Sequence, residues 1–85
     1  MSDILIDLFL SKKDQIYNFI KQRGRVKTHE LIAFGLSIFT NRGDRYGRDL
    51  AEEGLIWRMR EDLKKILYKD CKEDVWSVFP SDKIL

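Results

Sequence analysis

The sequence predicts an α+β domain in which helices come first and an antiparallel pair of strands comes last. Through the first two thirds of the chain, apolar residues recur at helical spacing. Ser2, Ser11, Thr28, and Thr40 or Asn41 stand where helix N-caps belong. After Gly54 the pattern changes to two short strand-like runs, residues 55–60 and 75–79, the second stopped by Pro80. At 85 residues and 44% apolar content, the chain reads as a single domain, 1–85, of ordinary globular composition.

The elements follow in order. Ser2 can cap a helix that places Ile4, Leu5, Leu8 and Phe9 on one face; a strand is the alternative. Ser11 stands three residues before Asp14, a start signal, and Ile16, Phe19 and Ile20 follow until Gly24 supplies a stop. The two pieces are read as one helix or two. Residues 25–27 form a short extended link with one inward side chain. Thr28 caps the next helix, whose apolar side holds Leu31, Ile32, Phe34 and Gly35. Residues 36–40 turn, with Ile38 or Phe39 plugging the core. Thr40 or Asn41 caps a third helix, in which Gly43 and Gly47 lower helix propensity and so point to close approach of a second helix. The stretch 61–74 is too long for a tight hairpin, and residues 62–68 within it have helical spacing. Residues 81–85 read as a frayed tail.

The net charge of +2 is uninformative, but its distribution is not. Residues 1–20 carry −1, residues 21–48 carry +5 and residues 49–85 carry −2. A basic middle between acidic ends attracts polyanions better than the total implies. Arg42, Arg45 and Arg48 recur every third residue there. On a helix turning ~100° per residue, with Arg42 at zero, Arg45 falls near ~300° and Arg48 near ~240°. Gly43, Gly47, Leu50 and Gly54 fall between ~80° and ~140°, on the other side. A helix that packs through small residues and presents arginines outward suits the DNA major groove.

Two strings, Gly24-Arg25-Val26-Lys27-Thr28-His29-Glu30-Leu31 and Arg48-Asp49-Leu50-Ala51-Glu52-Glu53-Gly54-Leu55-Ile56, resemble the winged helix-turn-helix superfamily of DNA-binding domains over roughly residues 12–79. The second string is the more specific, because a leucine, Glu-Gly and two apolar residues mark the passage from recognition helix to first wing strand in that family. The resemblance implies a three-helix core over 12–60, a C-terminal β-hairpin wing over 55–79 with a long connection, and an extra N-terminal helical segment, 1–10. It implies sequence-specific binding of double-stranded DNA, as in a small transcriptional regulator of prokaryotic or viral type, with a recognition helix at about 42–53.

Arg42 and Arg45, near the start of that helix, are placed for base edges. Tyr46 is placed for a phosphate or a thymine methyl, and Arg48 for a phosphate. Lys27, Thr28 and His29 open the second helix, where backbone N–H groups and a cation can hold a phosphate; a plain N-cap is the other reading. Arg58 and Arg60 face phosphate from the first wing strand. One reading helix commonly requires a two-fold partner, so Ile4, Leu5, Leu8 and Phe9 are the expected homodimer element. Against the DNA reading, Arg45–Asp49 and Arg48–Glu52 are spaced as intrahelical ion pairs, and Trp57 and Trp76 as core. The alternative function is a winged-helix protein-interaction module that binds no DNA.

Other classes find little in the chain. Cys71 and His29 are the sole cysteine and histidine, so no intramolecular disulfide forms and no zinc site or other metal site is built. No nucleophile–histidine spacing or phosphate-binding glycine loop points to an enzyme, a cofactor or a small-molecule effector. No window reaches the ~20 apolar residues of a membrane span. Asp3 and Asp7 spoil the apolar start as a signal peptide, so a cytoplasmic protein is expected.

Overall fold

Ser11 starts the first helix as its spacing to Asp14 implies: its hydroxyl accepts the Asp14 N–H at 3.1 Å. The computed structural model describes residues 11–83. Among these the order is α1 (Lys12–Arg23), β1 (Arg25–Lys27), α2 (Thr28–Ser37), α3 (Gly43–Glu52), β2 (Trp57–Arg58), α4 (Glu61–Leu67), β3 (Val75–Ser77) and a 3₁₀ turn at Pro80–Asp82. The architecture is α+β, with four α-helices and one three-stranded antiparallel sheet ordered β1-β3-β2. The N-terminal helical segment and its residues Ile4, Leu5, Leu8 and Phe9 lie outside the described residues.

β3 holds the sheet together. It pairs Val26 with Trp76 on one side and Arg58 with Trp76 on the other. Ile16 and Ile20 of α1, Val26, Leu31 of α2, Leu50 of α3, Ile56 and Trp76 form one buried cluster beneath the three helices. Trp76 is buried and its indole N–H donates to Thr28 Oγ1 at 3.2 Å, so it is core, as its apolar surroundings demand.

α2 and α3 end in the same way. In α3, Gly54 has φ +79; its N–H reaches the Ala51 carbonyl, and the Leu55 N–H reaches Leu50. This pair of bonds is a Schellman ending, with Gly54 in the left-handed conformation that costs glycine nothing. In α2 the Phe39 N–H reaches Leu36 and the Thr40 N–H reaches Gly35, with Phe39 itself at φ +66. A phenylalanine thus occupies the position where α3 has a glycine.

Several local expectations are corrected. Lys27, not Thr28, precedes the first turn of α2; Glu30 accepts the Lys27 N–H at 2.8 Å, while the Thr28 hydroxyl donates to the Asp74 carbonyl at 2.8 Å. Arg42 is the N-cap of α3, its N–H held by Thr40 Oγ1 at 3.2 Å, so neither Thr40 nor Asn41 is the cap. Ile32 lies on the outer side of α2, because the buried side is set by Leu31 and Gly35 facing α3. Ile38 packs on the core, while Phe39 is 92% exposed. The 55–60 strand shrinks to Trp57–Arg58, and Met59 bridges to Lys83.

The tail is ordered through Lys83, contrary to the frayed reading. The buried Asp82 carboxylate accepts from Arg25 Nε at 2.7 Å and from the Ser77 hydroxyl at 2.6 Å. Arg25 and Ser77 are register partners in the sheet, so Asp82 closes the end of β1 and β3 together. Its carboxyl is held below the ordinary aspartate range by the Arg25 guanidinium, which outweighs the cost of burial, with help from Ser77.

Candidate nucleic-acid interface

Gly43 and Gly47 bring α3 down onto α2. A Cβ on Gly43 would overlap the Leu31 carbonyl oxygen, and one on Gly47 would stand 2.8 Å from Leu31 Cδ1. Both glycines are buried together with Leu50, so the small side of α3 faces inward as its spacing implied. The opposite side is exposed at Arg42, Arg45 and Arg48.

The three arginines are not equivalent. Arg48 Nη2 pairs with Asp44 at 3.3 Å, one turn before it and not with Glu52 one turn after. Helical side chains lean toward the N-terminus, so a carboxylate at i−4 is the nearer partner. Arg42 and Arg45 have no ion-pair partner among the described residues, and the Arg45–Asp49 pair is not formed. Tyr46 packs half-buried against the core, which leaves it a smaller outward surface than its position beside Arg45 implied.

The start of α2 is occupied by the chain itself. Glu73 accepts the His29 backbone N–H at 2.9 Å and meets His29 Nδ1 at 2.7 Å. Partial burial works against the Glu73 charge, yet these His29 contacts outweigh it and hold the carboxyl below the ordinary glutamate range. A carboxylate therefore sits where a phosphate was expected, with Thr28 engaged by Asp74. Lys27 points its ammonium at the Tyr68 ring, 5.5 Å from the centroid.

Arg58 and Arg60 are likewise committed, and Arg60 is not on the strand as expected but stands at the N-cap of α4, because β2 ends at Arg58. Arg58 meets Asp74 at 3.4 Å and lies 5.7 Å from the centre of the Trp76 ring. Arg60 meets Asp62 at 3.0 Å and donates to the Ser81 carbonyl at 3.0 Å. Asp62 belongs to α4, and Glu73 and Asp74 to the segment that follows it, so the 61–74 connection supplies the acids that neutralise both sets of bases. Lys64 fastens α4 in place, buried and donating to the Glu73 carbonyl at 3.1 Å. Apart from Arg60 and Asp62, two residues apart, these pairings join residues distant along the chain, which spacing could not reveal.

The candidate residues thus separate into a free set on α3 (Arg42 and Arg45, with Arg48 loosely paired) and a neutralised set around the connection (His29, Arg58 and Arg60). No described helix is long and apolar enough to cross a membrane. Comparison with family models, curated proteins and solved structures gives no match to this chain.

Proposed function

We propose that the chain is a winged helix-turn-helix domain that binds double-stranded DNA in a sequence-specific manner, as a small regulator of transcription, with α3 in the major groove. The observation that carries this reading is the two-sidedness of α3: glycines wedge one side against α2, and the other presents Arg42 and Arg45 to solvent without ion-pair partners among the described residues. The order α1-β1-α2-α3-β2-α4-β3, with sheet order β1-β3-β2, is compatible with it, α4 standing in the long connection between β2 and β3. Arg42 and Arg45 read base edges, where each guanidinium can bind a guanine through two hydrogen bonds. Arg48 exchanges Asp44 for a phosphate. This end of the sheet contributes little charge, since Asp74 and Asp62 stand at ion-pair distance from Arg58 and Arg60.

Selection of bound sites from a random duplex pool tests the reading. Enrichment of a short guanine-containing motif supports it; recovery of a pool indistinguishable from the input removes it.

One observation favours a protein-interaction module instead. Arg42, Arg45 and Arg48 are balanced by Asp44, Asp49 and Glu52 over the same segment. A charge-neutral face suits a protein partner. Absence of any duplex binding at low salt would favour that reading.

A further inference from the structure

Glu73 and Asp74 are neighbours, and each holds a base from a different element. Glu73 accepts the His29 backbone N–H at 2.9 Å and meets His29 Nδ1 at 2.7 Å, at the start of α2. Asp74 meets Arg58 of β2 at 3.4 Å. The sheet register explains how one short segment reaches both. Lys27 faces Val75 and Arg58 faces Trp76, so the ends of β1 and β2 and the start of β3 share one edge.

Both acids are fixed through their main chain. The Glu73 carbonyl accepts from the buried Lys64 ammonium at 3.1 Å and from the Cys71 thiol at 3.4 Å. The Asp74 carbonyl accepts the Thr28 N–H at 3.1 Å and the Thr28 hydroxyl at 2.8 Å. Anchored backbone therefore presents the carboxylates to their bases. Each side chain can still change rotamer and turn away without unfastening the segment.

This edge borders the arginine side of α3. Arg58 and Arg48 line one groove of about 280 Å³ with Glu52 and Trp76. A duplex lying along α3 brings phosphates towards Arg58 and the start of α2, where the two carboxylates already stand. A phosphate and a carboxylate make the same charge-assisted contacts with a guanidinium or a helix N-terminal N–H, so the two compete for one place. Exposed pairs of this kind are weak, so the competition lowers affinity and does not abolish it.

We infer that the end of the 61–74 connection is an autoinhibitory element: Glu73 and Asp74 occupy the places of two DNA phosphates, and a duplex displaces them from His29 and Arg58 as α3 seats. The inference rests on the DNA reading proposed above. The connection then sets how tightly the domain holds DNA.

Anisotropy titrations of the full chain with a labelled duplex at low salt test it. Asp74→Asn should raise affinity a few-fold. Arg58→Ala should cost more in the Asp74→Asn background than in the native chain, because only there is the guanidinium free to meet a phosphate. Glu73→Gln should also raise affinity a few-fold. Asp70→Asn removes a charge from the same segment, where Asp70 is exposed and has no ion-pair partner among the described residues, and should leave affinity nearly unchanged. Cooperative thermal melts show that the variants are folded; should Glu73→Gln fail to fold, the Asp74 and Arg58 cycle decides alone. Equal gains from all three acids, or an Arg58→Ala cost independent of Asp74, reduce the effect to overall charge and overturn the inference while the DNA reading stands. Absence of duplex binding by the native chain and every variant overturns both.

Discussion

Gly43 packs against the backbone of Leu31: a Cβ at position 43 would stand 2.3 Å from the Leu31 carbonyl oxygen, so no other residue fits without displacing a helix. Gly43→Ala is expected to destabilise the domain by about 2 kcal/mol, because backbone must move to make room. Gly47→Ala meets the Leu31 side chain, which can rotate, so its cost is smaller and is partly offset by the better helix propensity of alanine. Gly54→Ala meets nothing, and its cost of about 1 kcal/mol comes from positive φ alone. Urea denaturation of the three variants should rank them with Gly43→Ala worst.

Asp82 makes stability depend on acid. Its folded-state carboxyl titrates below the ordinary aspartate value, so its contribution is fully present above ~4 and is lost as the pH falls through the lower folded value. Asp82→Ala leaves the buried Ser77 hydroxyl and the Arg25 guanidinium without their shared acceptor, at a cost of about 2 kcal/mol near neutrality. Denaturant midpoints from pH 7 to pH 3 should fall in the native chain. The variant should lose much of that slope.

Glu73 behaves in the same sense at the start of α2. Its carboxyl is also lowered, so its support for the helix is present above the ordinary glutamate range and disappears in acid. Glu73→Gln keeps the shape but weakens the acceptor for the His29 N–H, and about 0.5–1 kcal/mol should be lost near neutral pH. Chemical denaturation at pH 7 checks it.

Arg58 and Arg60 are paired with acids of the 61–74 connection. Asp74→Asn should free Arg58 for phosphate, raising duplex affinity a few-fold at low salt and steepening the salt dependence by about one unit. Arg58→Ala and Arg60→Ala should lower affinity less than Arg45→Ala. Anisotropy titrations of one labelled duplex across a salt series would compare them.

How much of this was legible in the sequence depended on the range of the interaction. The Ser11 cap, the Gly24 stop and the inward Val26 are local, and spacing revealed them. The small side of α3 was legible too, since Gly43 and Gly47 inside a helix have few uses other than close packing. The string from Leu50 to Leu55 is a helix ending whose bonds stay within six residues. The ending of α2 is built alike but carries Phe39 and no glycine, so nothing marked it. Asp82 closing onto Arg25, and Glu73 onto His29, join positions 57 and 44 residues apart, and no period records such pairs. For that reason Arg58 and His29 looked like free bases when read along the chain.

The central claim is that α3 reads DNA through its unpaired arginines. Arg45 is exposed and unpaired among the described residues, so Arg45→Ala should leave folding unchanged. The decisive measurement is duplex affinity of the native chain and of Arg45→Ala, on a selected site, from low to physiological salt. The account predicts a loss of roughly 5- to 100-fold, with a shallower salt slope and relaxed preference at one base pair. Equal affinity and equal slope for the two proteins would contradict it.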